Sequence, residues 1–452
     1  MGPPLCVLLK SKVLFQYDPD VFRGGAVERG GESIGGGSGR TRGIRTPRET
    51  ANGILPYLRA MKPDANFANP PELSSLRILR PTESTPQCYR AILSSGHIAS
   101  ADKNLIALYP GAYRPGIQVK GCYLIYDATK NSLSAIPQRP DDTGFLAGAG
   151  LGAVVLRCDG GEEGAYVLGE LAQVQGSDCS EAALYTWRSS TAEWVTKVGR
   201  LPPEVCTRDR LFLSDSCFSF GGSILCWVDM FKGMLICDLR AVLEYGSDLE
   251  FRFIPLPEDS LPFPHRNRFE CPRRLEVFCS IGCVRGAVKF VTMDGYGERP
   301  SNEVTLTIWT LLPDIYKWKK GRVYHLRDIW ENETYQTMGL PQVVPSYPLL
   351  SMHEDDVVYL AFPNVTSVDG YESDFLLRID MLHDKVQCHQ GTSDKIPARL
   401  IAVECSAYLQ DLEDHQKGKS TKDMGKWREY DALTSLQHVM WKYELKSAPV
   451  LI

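Results

Sequence analysis

Short apolar segments of strand length recur from about residue 73 to residue 405, and residues that favour turns separate them. The segments are rich in Val, Ile, Leu, Tyr, Phe and Trp, which suit pleated, half-buried strands. Asp-Gly pairs, which favour tight hairpin turns, stand between several of them. Very little of this region shows the 3.6-residue period of a long amphipathic helix. The pattern predicts an all-β fold built from antiparallel hairpins and meanders.

A longer repeat is superimposed on these segments. Each unit has a strand that ends in Asp or Trp, a polar turn, a second strand and an exit that contains Pro. Intervals of 60, 51, 71 and 71 residues separate the strand-end markers, which are Asp127, Trp187, Asp238, Trp309 and Asp380. One unit cannot cover both faces of its own sheet, whereas radially stacked neighbours cover each other. The sequence therefore predicts an irregular β-propeller-like array of about five to six antiparallel blades.

Changes in composition divide the chain into four parts. Residues 1–22 are predicted to form an N-terminal strand segment, and residues 23–65 a flexible linker or insertion that is rich in Gly and Arg up to about residue 50. Such a linker buries too little apolar surface to offset the entropy cost of ordering it. Residues 66–405 form the predicted propeller-like domain. Residues 406–452 form a polar, partly helical tail, in which a short helix is expected from the spacing of Leu433, Leu436, Met440 and Tyr443.

Charge and cysteine content argue against several classes of protein. The 50 basic and 55 acidic residues give a net charge of −5, so neither nucleic acid nor an anionic membrane is an expected partner. No apolar stretch reaches the roughly 18 residues of a spanning helix, and we recognise no secretory signal. The 14 cysteines follow no regular spacing, which favours buried thiols in a reducing compartment. We therefore expect a cytoplasmic protein, a nuclear protein or one present in both compartments.

Two patterns match ligand-binding motifs in part. Gly148, Gly150 and Ala153 fit the dinucleotide pattern G-x-G-x-x-A, which needs a following helix whose amides meet the pyrophosphate. The segment that follows instead has the composition of a strand, which favours a loop between blades. A thiolate and imidazole set for zinc could come from His265, Cys271, Cys279 and Cys283. No tight Cys-x-x-Cys pair occurs, so buried thiols are the preferred interpretation.

Two clusters near the end of the predicted array could form a catalytic or metal-binding site. His383, Cys388 and His389 lie around a predicted hairpin and could form a Cys–His pair or part of a metal site. Their spacing suggests neither a partner carboxylate nor a third ligand. The run from His353 to Asp356 is acidic and could bind calcium, but it lacks the alternating acidic pattern with Gly of a calcium loop. A solvated hairpin turn is the preferred interpretation of this run.

Basic and aromatic residues offer two further surfaces. A loop that could contact a partner or a phosphate, or could be plain solvated surface, contains Arg266, Arg268, Arg273 and Arg274. Four tryptophans recur at comparable repeat positions, as packing between strands would require: Trp187, Trp194, Trp309 and Trp318. A carbohydrate-stacking role for them lacks a supporting carboxylate pair. We therefore assign no catalytic, cofactor-binding or metal-binding residue and expect no cofactor.

Several segments resemble a known family. They include GCYLIYDATKNSLSAIPQRPD, ALYTWRSSTAEWVTKVGRLPPE, GMLICDLRAVLEYGSDLEFRFIPLPE and YPLLSMHEDDVVYLAF. The family they resemble is the plant domain of unknown function 1618 family, which is expanded in grasses, and the likeness covers roughly residues 66 to 405. Its members are similar to the propeller domains that follow F-boxes in ubiquitin-ligase substrate adaptors, although we recognise no F-box in this sequence. The shared motifs are hydrophobic and turn patterns, so the resemblance implies a fold and no chemistry.

The sequence thus favours a non-enzymatic protein-interaction module whose partner is a protein of unknown identity. A substrate adaptor of a ubiquitin ligase is one alternative, and it requires an F-box-like helical segment or a partner that supplies one. An enzyme or sugar-binding propeller is the other alternative, and it requires carboxylates or His side chains that converge at one loop face. Sites decide among these functions, because one fold can host all of them.

Overall fold

A computed structural model of the chain describes residues 6–18, 47–81, 87–90, 92–111, 121–140, 145–147, 152–158, 164–174, 180–205, 212–244, 248–260, 275–312, 316–362, 372–373, 375–390, 396–397 and 399–404. The helices within these ranges are Pro47–Arg59, Gln87–Arg90, Leu239–Glu244, Leu326–Glu331 and Glu333–Thr337. Single 3-10 turns lie at Ile92–Ser94, Glu258–Ser260, Leu275–Val277 and Ser301–Glu303.

The strands, in chain order, are β1 (Val7–Lys10), β2 (Lys12–Tyr17), β3 (Lys62–Asn66), β4 (Leu73–Arg80), β5 (Ser95–Asp102), β6 (Leu105–Pro110), β7 (Tyr123–Asp127), β8 (Ser132–Ile136), β9 (Phe145–Ala147), β10 (Ala153–Arg157), β11 (Tyr166–Val174), β12 (Glu181–Arg188), β13 (Glu193–Arg200), β14 (Ser216–Phe220), β15 (Ile224–Asp229), β16 (Gly233–Asp238), β17 (Arg252–Pro255), β18 (Cys279–Val284), β19 (Ala287–Asp294), β20 (Thr305–Leu312), β21 (Lys317–His325), β22 (Ser346–Leu350), β23 (Val357–Ala361), β24 (Glu372–Ser373), β25 (Phe375–Asp380), β26 (Lys385–Gln390), β27 (Ile396–Pro397) and β28 (Leu400–Val403).

Five successive sheets repeat one plan, in which strands pair antiparallel and in chain order. Sheet 1 is β5–β8, sheet 2 is β10–β13 with β9 beside β11, sheet 3 is β14–β17, sheet 4 is β18–β21, and sheet 5 is β22, β23, β25 and β26. The five markers of the sequence repeat all lie in the third strand of a sheet: Asp127, Trp187, Asp238, Trp309 and Asp380. The repeat in the sequence is therefore a repeat of whole sheets.

A left-handed residue comes directly before the fourth strand in four of these sheets. The residue just before the fourth strand has a positive φ of 43° to 53° in each case: Asn131, Ala192, Tyr316 and Asp384. A left-handed residue after a type I turn is a common way for a hairpin loop to enter its second strand. Asp127 and Asp380 support their turns by accepting main-chain N–H bonds, from Thr129 at 2.9 Å and from His383 at 3.0 Å.

Two tryptophans of outer strands fasten successive sheets together. The indole N–H of Trp194 in sheet 2 donates to the carbonyl of Pro137, which follows sheet 1, at 3.0 Å. The indole N–H of Trp318 in sheet 4 donates in the same way to Pro255 of sheet 3, at 2.7 Å. Trp187 packs edge-on against Trp194, with 5.7 Å between ring centroids. The recurring Trp and Pro residues therefore pack the sheets against each other, as the sequence interpretation holds.

The first strand of each sheet lines a central axis. β5, β10, β14, β18, β22 and β28 contact one another around it. The thiol of Cys217 on β14 donates to the carbonyls of Ala99 on β5, at 3.5 Å, and Ala153 on β10, at 3.2 Å. Trp227 of sheet 3 donates its indole N–H to the carbonyl of Gly152 at 2.7 Å. Protein atoms thus fill the axis here, and the predicted all-β, propeller-like class is confirmed.

The two ends of the described chain meet in a closing sheet. β1 pairs antiparallel with β28, from Val7 opposite Val403 to Lys10 opposite Leu400. β1 also pairs with β4, which pairs with β3, and β2 links β4 to β5 of sheet 1. Leu8 and Leu9 are fully buried. Both β1 and β2 lie near the start of the chain, and they form part of the ring.

Part of the predicted linker is ordered. The composition predicts a flexible segment over residues 23–65, but residues 47–65 contain the helix Pro47–Arg59 and most of β3. Ile54 and Leu58 lie one helical turn apart and are 3% and 1% exposed, so this helix has an apolar face that packs on the closing sheet. The Gly and Arg content of the preceding residues obscured that face. Residues 19–46 and the tail 405–452, with its expected helix, lie outside the described residues.

The closing strand yields a stability test. Replacing Leu9 by Ala should lower the free energy of unfolding by about 3 kcal/mol, because it removes a fully buried side chain and leaves a cavity. Leu14 lies on the adjacent β2 but is 47% exposed, so Leu14→Ala should cost less than about 1 kcal/mol. Urea denaturation of both purified variants measures the difference. Equal, small losses would show that β1 is not part of the cooperative fold.

Candidate functional site at the two mouths of the axis

The inner strands run in the same direction, so their first residues meet at one mouth of the ring and their last residues at the other. Arg399, which precedes β28, contacts Asp215, which precedes β14, and Glu276, which precedes β18. At the opposite end, the N–H of Arg285 after β18 donates to the carbonyl of Met352 after β22, at 3.1 Å. Strand ends of this kind hold side chains more rigidly than free loops do.

The Arg399 mouth is formed by Lys12, His97, Asp215, Glu276 and Arg399. Lys12 and His97 are register partners on β2 and β5, so their side chains leave the same face. The carbonyl of Arg399 accepts the N–H of the residue before Lys12 at 3.2 Å. The closing strands therefore bring Arg399, Lys12 and His97 together, although they are far apart in the chain.

The guanidinium of Arg399 spans the mouth. Its Nη2 donates to the main-chain carbonyl of Asp215 at 3.5 Å, and its Nη1 lies 3.9 Å from a carboxylate oxygen of Glu276. The side chains of Arg399 and Glu276 are 28% and 26% exposed. Two sheets thus position the guanidinium, and the Arg399 side chain as a whole is still partly exposed although Nη1 itself is buried. A guanidinium held in this way can form charge-assisted hydrogen bonds to an acidic group of a ligand.

His97 is neutral at physiological pH. Burial lowers the pKa of its imidazole to about 4, and the positive charges of Arg399 and Lys12 add to that effect. Both of these positive charges act in the same direction as burial. A neutral imidazole can donate one hydrogen bond and accept another, so His97 adds a polar contact without adding charge.

The Glu404 mouth lies at the other end of the axis and contains Asp102, Lys103, His353 and Glu404. Burial raises the pKa of the Glu404 carboxyl, and the charge of Asp102 raises it further, against the effects of His353 and Lys103. Asp102 accepts the N–H of Arg157 at 2.7 Å. A carboxyl group with a raised pKa near a second carboxylate is an arrangement that acid–base enzymes use.

The acidic run from His353 to Asp356 forms ion pairs instead of a calcium loop. Each of its carboxylates meets a cation of sheet 4 or sheet 5: Glu354 and Arg378 at 2.6 Å, Asp355 and Lys289 at 2.5 Å, Asp355 and Arg285 at 3.3 Å, and Asp356 and Arg322 at 3.7 Å. The turn is therefore tied to its neighbours and is not simply solvated. Sequence spacing could not show this, because the cations of sheet 4 precede the run by more than 30 residues.

The cluster around the last hairpin contains a carboxylate that the sequence analysis missed. Nδ1 of His383 lies 2.9 Å from a carboxylate oxygen of Asp380, three residues earlier. Cys388 and His389 are consecutive on β26 and so leave opposite faces of the strand. Burial raises the pKa of the Cys388 thiol to about 11, which disfavours the nucleophilic thiolate. The pairing of His383 with Asp380 supports the turn.

The remaining sequence patterns do not converge among the described residues. Ala153 begins β10, and because a strand follows the glycines, the helix that a dinucleotide site needs is missing there. Cys279 begins β18 and donates its thiol to the carbonyl of Leu275 at 3.2 Å. Within the described ranges, no group of three or more His, Cys, Asp or Glu side chains could hold a metal ion. Outside these ranges lie Gly148, Gly150, His265, Cys271, Arg266, Arg268, Arg273 and Arg274.

A buried ion pair between sheets 1 and 2 also escaped the sequence analysis. Nε of Arg139 lies 3.2 Å from Glu170, and the two side chains are 1% and 3% exposed. Tyr123 donates its hydroxyl to the other oxygen of Glu170 at 3.1 Å, and the Arg139 guanidinium lies 4.1 Å from the ring centroid of Tyr185. This cluster is closed to solvent, and it joins two sheets.

Comparisons with known proteins support the family resemblance for part of the chain. Residues 227–359 match the sequence model of a protein family of unknown function, DUF1618. This range runs from sheet 3 into sheet 5 and includes the acidic run. No curated protein matches the chain significantly. No helix of the described residues has the length and apolar character needed to cross a membrane.

Several solved structures are similar to the chain at low identity. A Synechocystis apocarotenoid oxygenase mutant is 8% identical with a TM-score of 0.30, and the match covers 65% of this chain and 59% of the oxygenase. The β-propeller domain of the trilobed protease from Pyrococcus furiosus is 10% identical with a TM-score of 0.29, over 65% of this chain and 70% of that chain. The WD40 domain of SCAP from fission yeast is 9% identical with a TM-score of 0.24, over 66% and 74%. At these values the fold assignment rests on the strand pairing itself.

The lowered pKa of His97 predicts how stability depends on pH. The unfolded chain binds a proton at His97 near pH 6.5, whereas the folded chain binds it only near pH 4. This group therefore supports folding above pH 6.5, and that support is lost as pH falls toward 4. After allowance for solvent screening we expect a contribution of about 2 kcal/mol.

Urea denaturation at pH 7.0 and 5.0 of the wild type and His97→Gln measures this contribution. The variant should lose less stability between the two pH values than the wild type does. His325→Gln, at an exposed position of β21, serves as the matched control and should follow the wild type. An identical pH dependence in all three proteins would contradict the assignment.

Proposed function

We propose that the chain is a non-enzymatic protein-interaction module whose partner binds at the Arg399 mouth. The observation that supports this proposal is the contact of one half-buried Arg399 with both Asp215 and Glu276. Arginine is prominent among the residues that dominate binding energy at protein interfaces. A guanidinium that is already positioned loses little freedom when a partner binds, which favours affinity.

The chemistry of this mouth fits an acidic side chain or a chain-terminal carboxylate of a partner protein. Arg399 can form a charge-assisted hydrogen bond to such a group, and Lys12 supplies an exposed positive charge beside it. Neutral His97 can complete the contact without repelling Arg399 and Lys12. As part of the same proposal we assign the protein to the cytoplasm or nucleus, since free buried thiols such as Cys217 and Cys226 suit a reducing compartment.

A substrate-adaptor role is a narrower form of this proposal. It draws on the resemblance to a plant family whose members are similar to the propeller domains that follow F-boxes. In that role the Arg399 mouth would bind the substrate, and a helical segment or a second protein would contact the ligase. Affinity purification separates the two forms of the proposal, because only a substrate adaptor co-purifies with a Skp-type protein and a cullin.

A second candidate function rests on the Glu404 mouth. The raised pKa of Glu404 beside Asp102 suits a general acid with a neighbouring carboxylate, as in an enzyme that cleaves glycosides. Incubating the purified protein with nitrophenyl glycosides tests this function. Turnover that is lost in Glu404→Gln and kept in Glu276→Gln would support it, and absence of turnover would leave the interaction module as the proposal.

Affinity purification of the tagged, full-length protein from native tissue extract, followed by quantitative mass spectrometry, tests the interaction module. One or a few proteins should co-purify with the wild type. Arg399→Gln should reduce their recovery by about tenfold, the loss of one charged contact, and Lys12→Glu should reduce it at least as much because it reverses a charge. Lys385→Glu changes an exposed lysine on β26 and should leave recovery unchanged. Equal recovery with all four proteins would show that the partner does not use this mouth.

A further inference from the structure

β21 stands out among the outer strands by its charge and exposure. It is nine residues long and reads KWKKGRVYH, with four Lys or Arg residues and no acidic residue. Seven of its nine positions are exposed, and only Trp318 and Tyr324 are partly covered. The whole protein carries a net charge of −5, so this strand is a local concentration of positive charge on an acidic molecule.

One edge of β21 pairs with no other strand among the described residues. β20 pairs with its inner edge from Leu312 opposite Lys317 to Thr305 opposite His325. β21 is the last strand of sheet 4, and in the described part of the chain its outer edge forms no main-chain hydrogen bond. An exposed strand edge offers a row of N–H and C=O groups that can pair with another extended segment.

The strand is held firmly between its neighbours. Trp318 donates to the carbonyl of Pro255 in sheet 3, and Tyr324 forms a hydrogen bond with Asp384 next to sheet 5. A bulge lies between these two anchors, where a Cβ on Gly321 would come within 2.8 Å of the carbonyl of Ile308. Before the bulge, the residues from Lys317 to Lys320 pair regularly with Leu312 to Trp309, so this part of the edge is already extended as strand addition requires.

The four cations of β21 differ in whether their side chains contact another group of the protein. Arg322 pairs with Asp356 at 3.7 Å, and Nζ of Lys320 lies 5.3 Å from the ring centroid of Trp309. Lys317 and Lys319 are exposed, and no hydrogen bond or ion pair of their side chains exists within the described residues. They are two residues apart, so both side chains leave the same face of the strand.

Lysines on an edge strand can also serve only to prevent aggregation. That role needs a charge at the edge, but it needs neither the anchors at Trp318 and Tyr324 nor two lysines aligned on one face. Nucleic acid fits the edge less well than a peptide does, because phosphates would use the lysines and leave the N–H and C=O row unpaired. An acidic peptide satisfies both the charges and the main-chain groups.

We propose that the open edge of β21 binds an extended acidic segment of a partner protein as an added strand, with acidic side chains at alternate positions facing Lys317 and Lys319. This surface is separate from the Arg399 mouth, so binding at β21 is an activity in addition to the proposed function. Main-chain pairing supplies affinity in such a complex, and the alternate acidic positions supply specificity.

Fluorescence polarisation with the full-length protein and a labelled eight-residue peptide of alternating Thr and Glu tests the proposal. The double variant Lys317→Glu/Lys319→Glu should bind this peptide at least tenfold more weakly than the wild type. Lys385→Glu, on the outer strand β26, is the matched control and should stay within twofold. Thermal melting of each variant confirms that it is folded.

Two further peptides test the added strand without any change to the protein. A peptide of the same composition with four Thr followed by four Glu keeps the charge but loses the alternation, and it should bind at least fivefold more weakly. An alternating peptide with N-methylated main-chain amides keeps every side chain but cannot pair, and it should bind at least tenfold more weakly. Equal binding of all three peptides would overturn strand addition.

The remaining outcomes separate this inference from the proposed function. Arg399→Gln should leave binding of the alternating peptide unchanged. Loss of binding in Arg399→Gln but not in Lys317→Glu/Lys319→Glu would place the peptide at the mouth and overturn the inference. A labelled 20-nucleotide single strand that binds through Lys317 and Lys319 when the peptide does not would also overturn it.

Discussion

The ladder between β1 and β28 is the constraint on which the rest of the ring depends. It joins residues near the two ends of the described chain, so it closes a loop of nearly 400 residues and carries an entropic cost beyond that of any single hairpin. Burial compensates on both faces of β1. Leu9 packs with Ile78 in the core of the closing sheet, and Leu8 packs with Tyr359 of sheet 5. Without this strand, sheet 5 and sheet 1 would leave apolar surface and open edges exposed.

The sequence predicted the repeat well because the repeat is local. Each Asp or Trp marker lies within one hairpin, and Asp127 and Asp380 hold their turns through N–H groups two or three residues ahead. The bonds that fasten one sheet to the next are not local. Trp194 bonds Pro137 across 57 residues, and Trp318 bonds Pro255 across 63. The pattern showed that Trp and Pro recur, but which Trp meets which Pro follows only from the stacking of sheets.

The residues that form the two mouths could not be predicted from the sequence, because they are even further apart in the chain than the Trp and Pro partners. The Arg399 mouth combines residues near positions 12, 97, 215, 276 and 399, and the Glu404 mouth combines residues near 102, 353 and 404. No motif with short spacing describes such a set. The patterns with short spacing that the sequence does contain, such as the run from His353 to Asp356, instead form ion pairs between sheets. In a ring of this kind, residues close in sequence form a hairpin, whereas the residues of one mouth come from different sheets.

The same architecture allows two binding surfaces to act independently. The mouths lie on the axis, where the inner strands meet, whereas β21 lies at the outer rim of sheet 4, three strands further out. At strand spacings of about 4.8 Å, that separation exceeds the Debye length of about 8 Å at physiological ionic strength. The lysines of β21 therefore present a positive surface that neither the net charge of −5 nor the carboxylates of the Glu404 mouth cancel. A partner with one extended acidic segment and one separate acidic group could bind both surfaces, and its affinity would then depend on the length of chain that connects them.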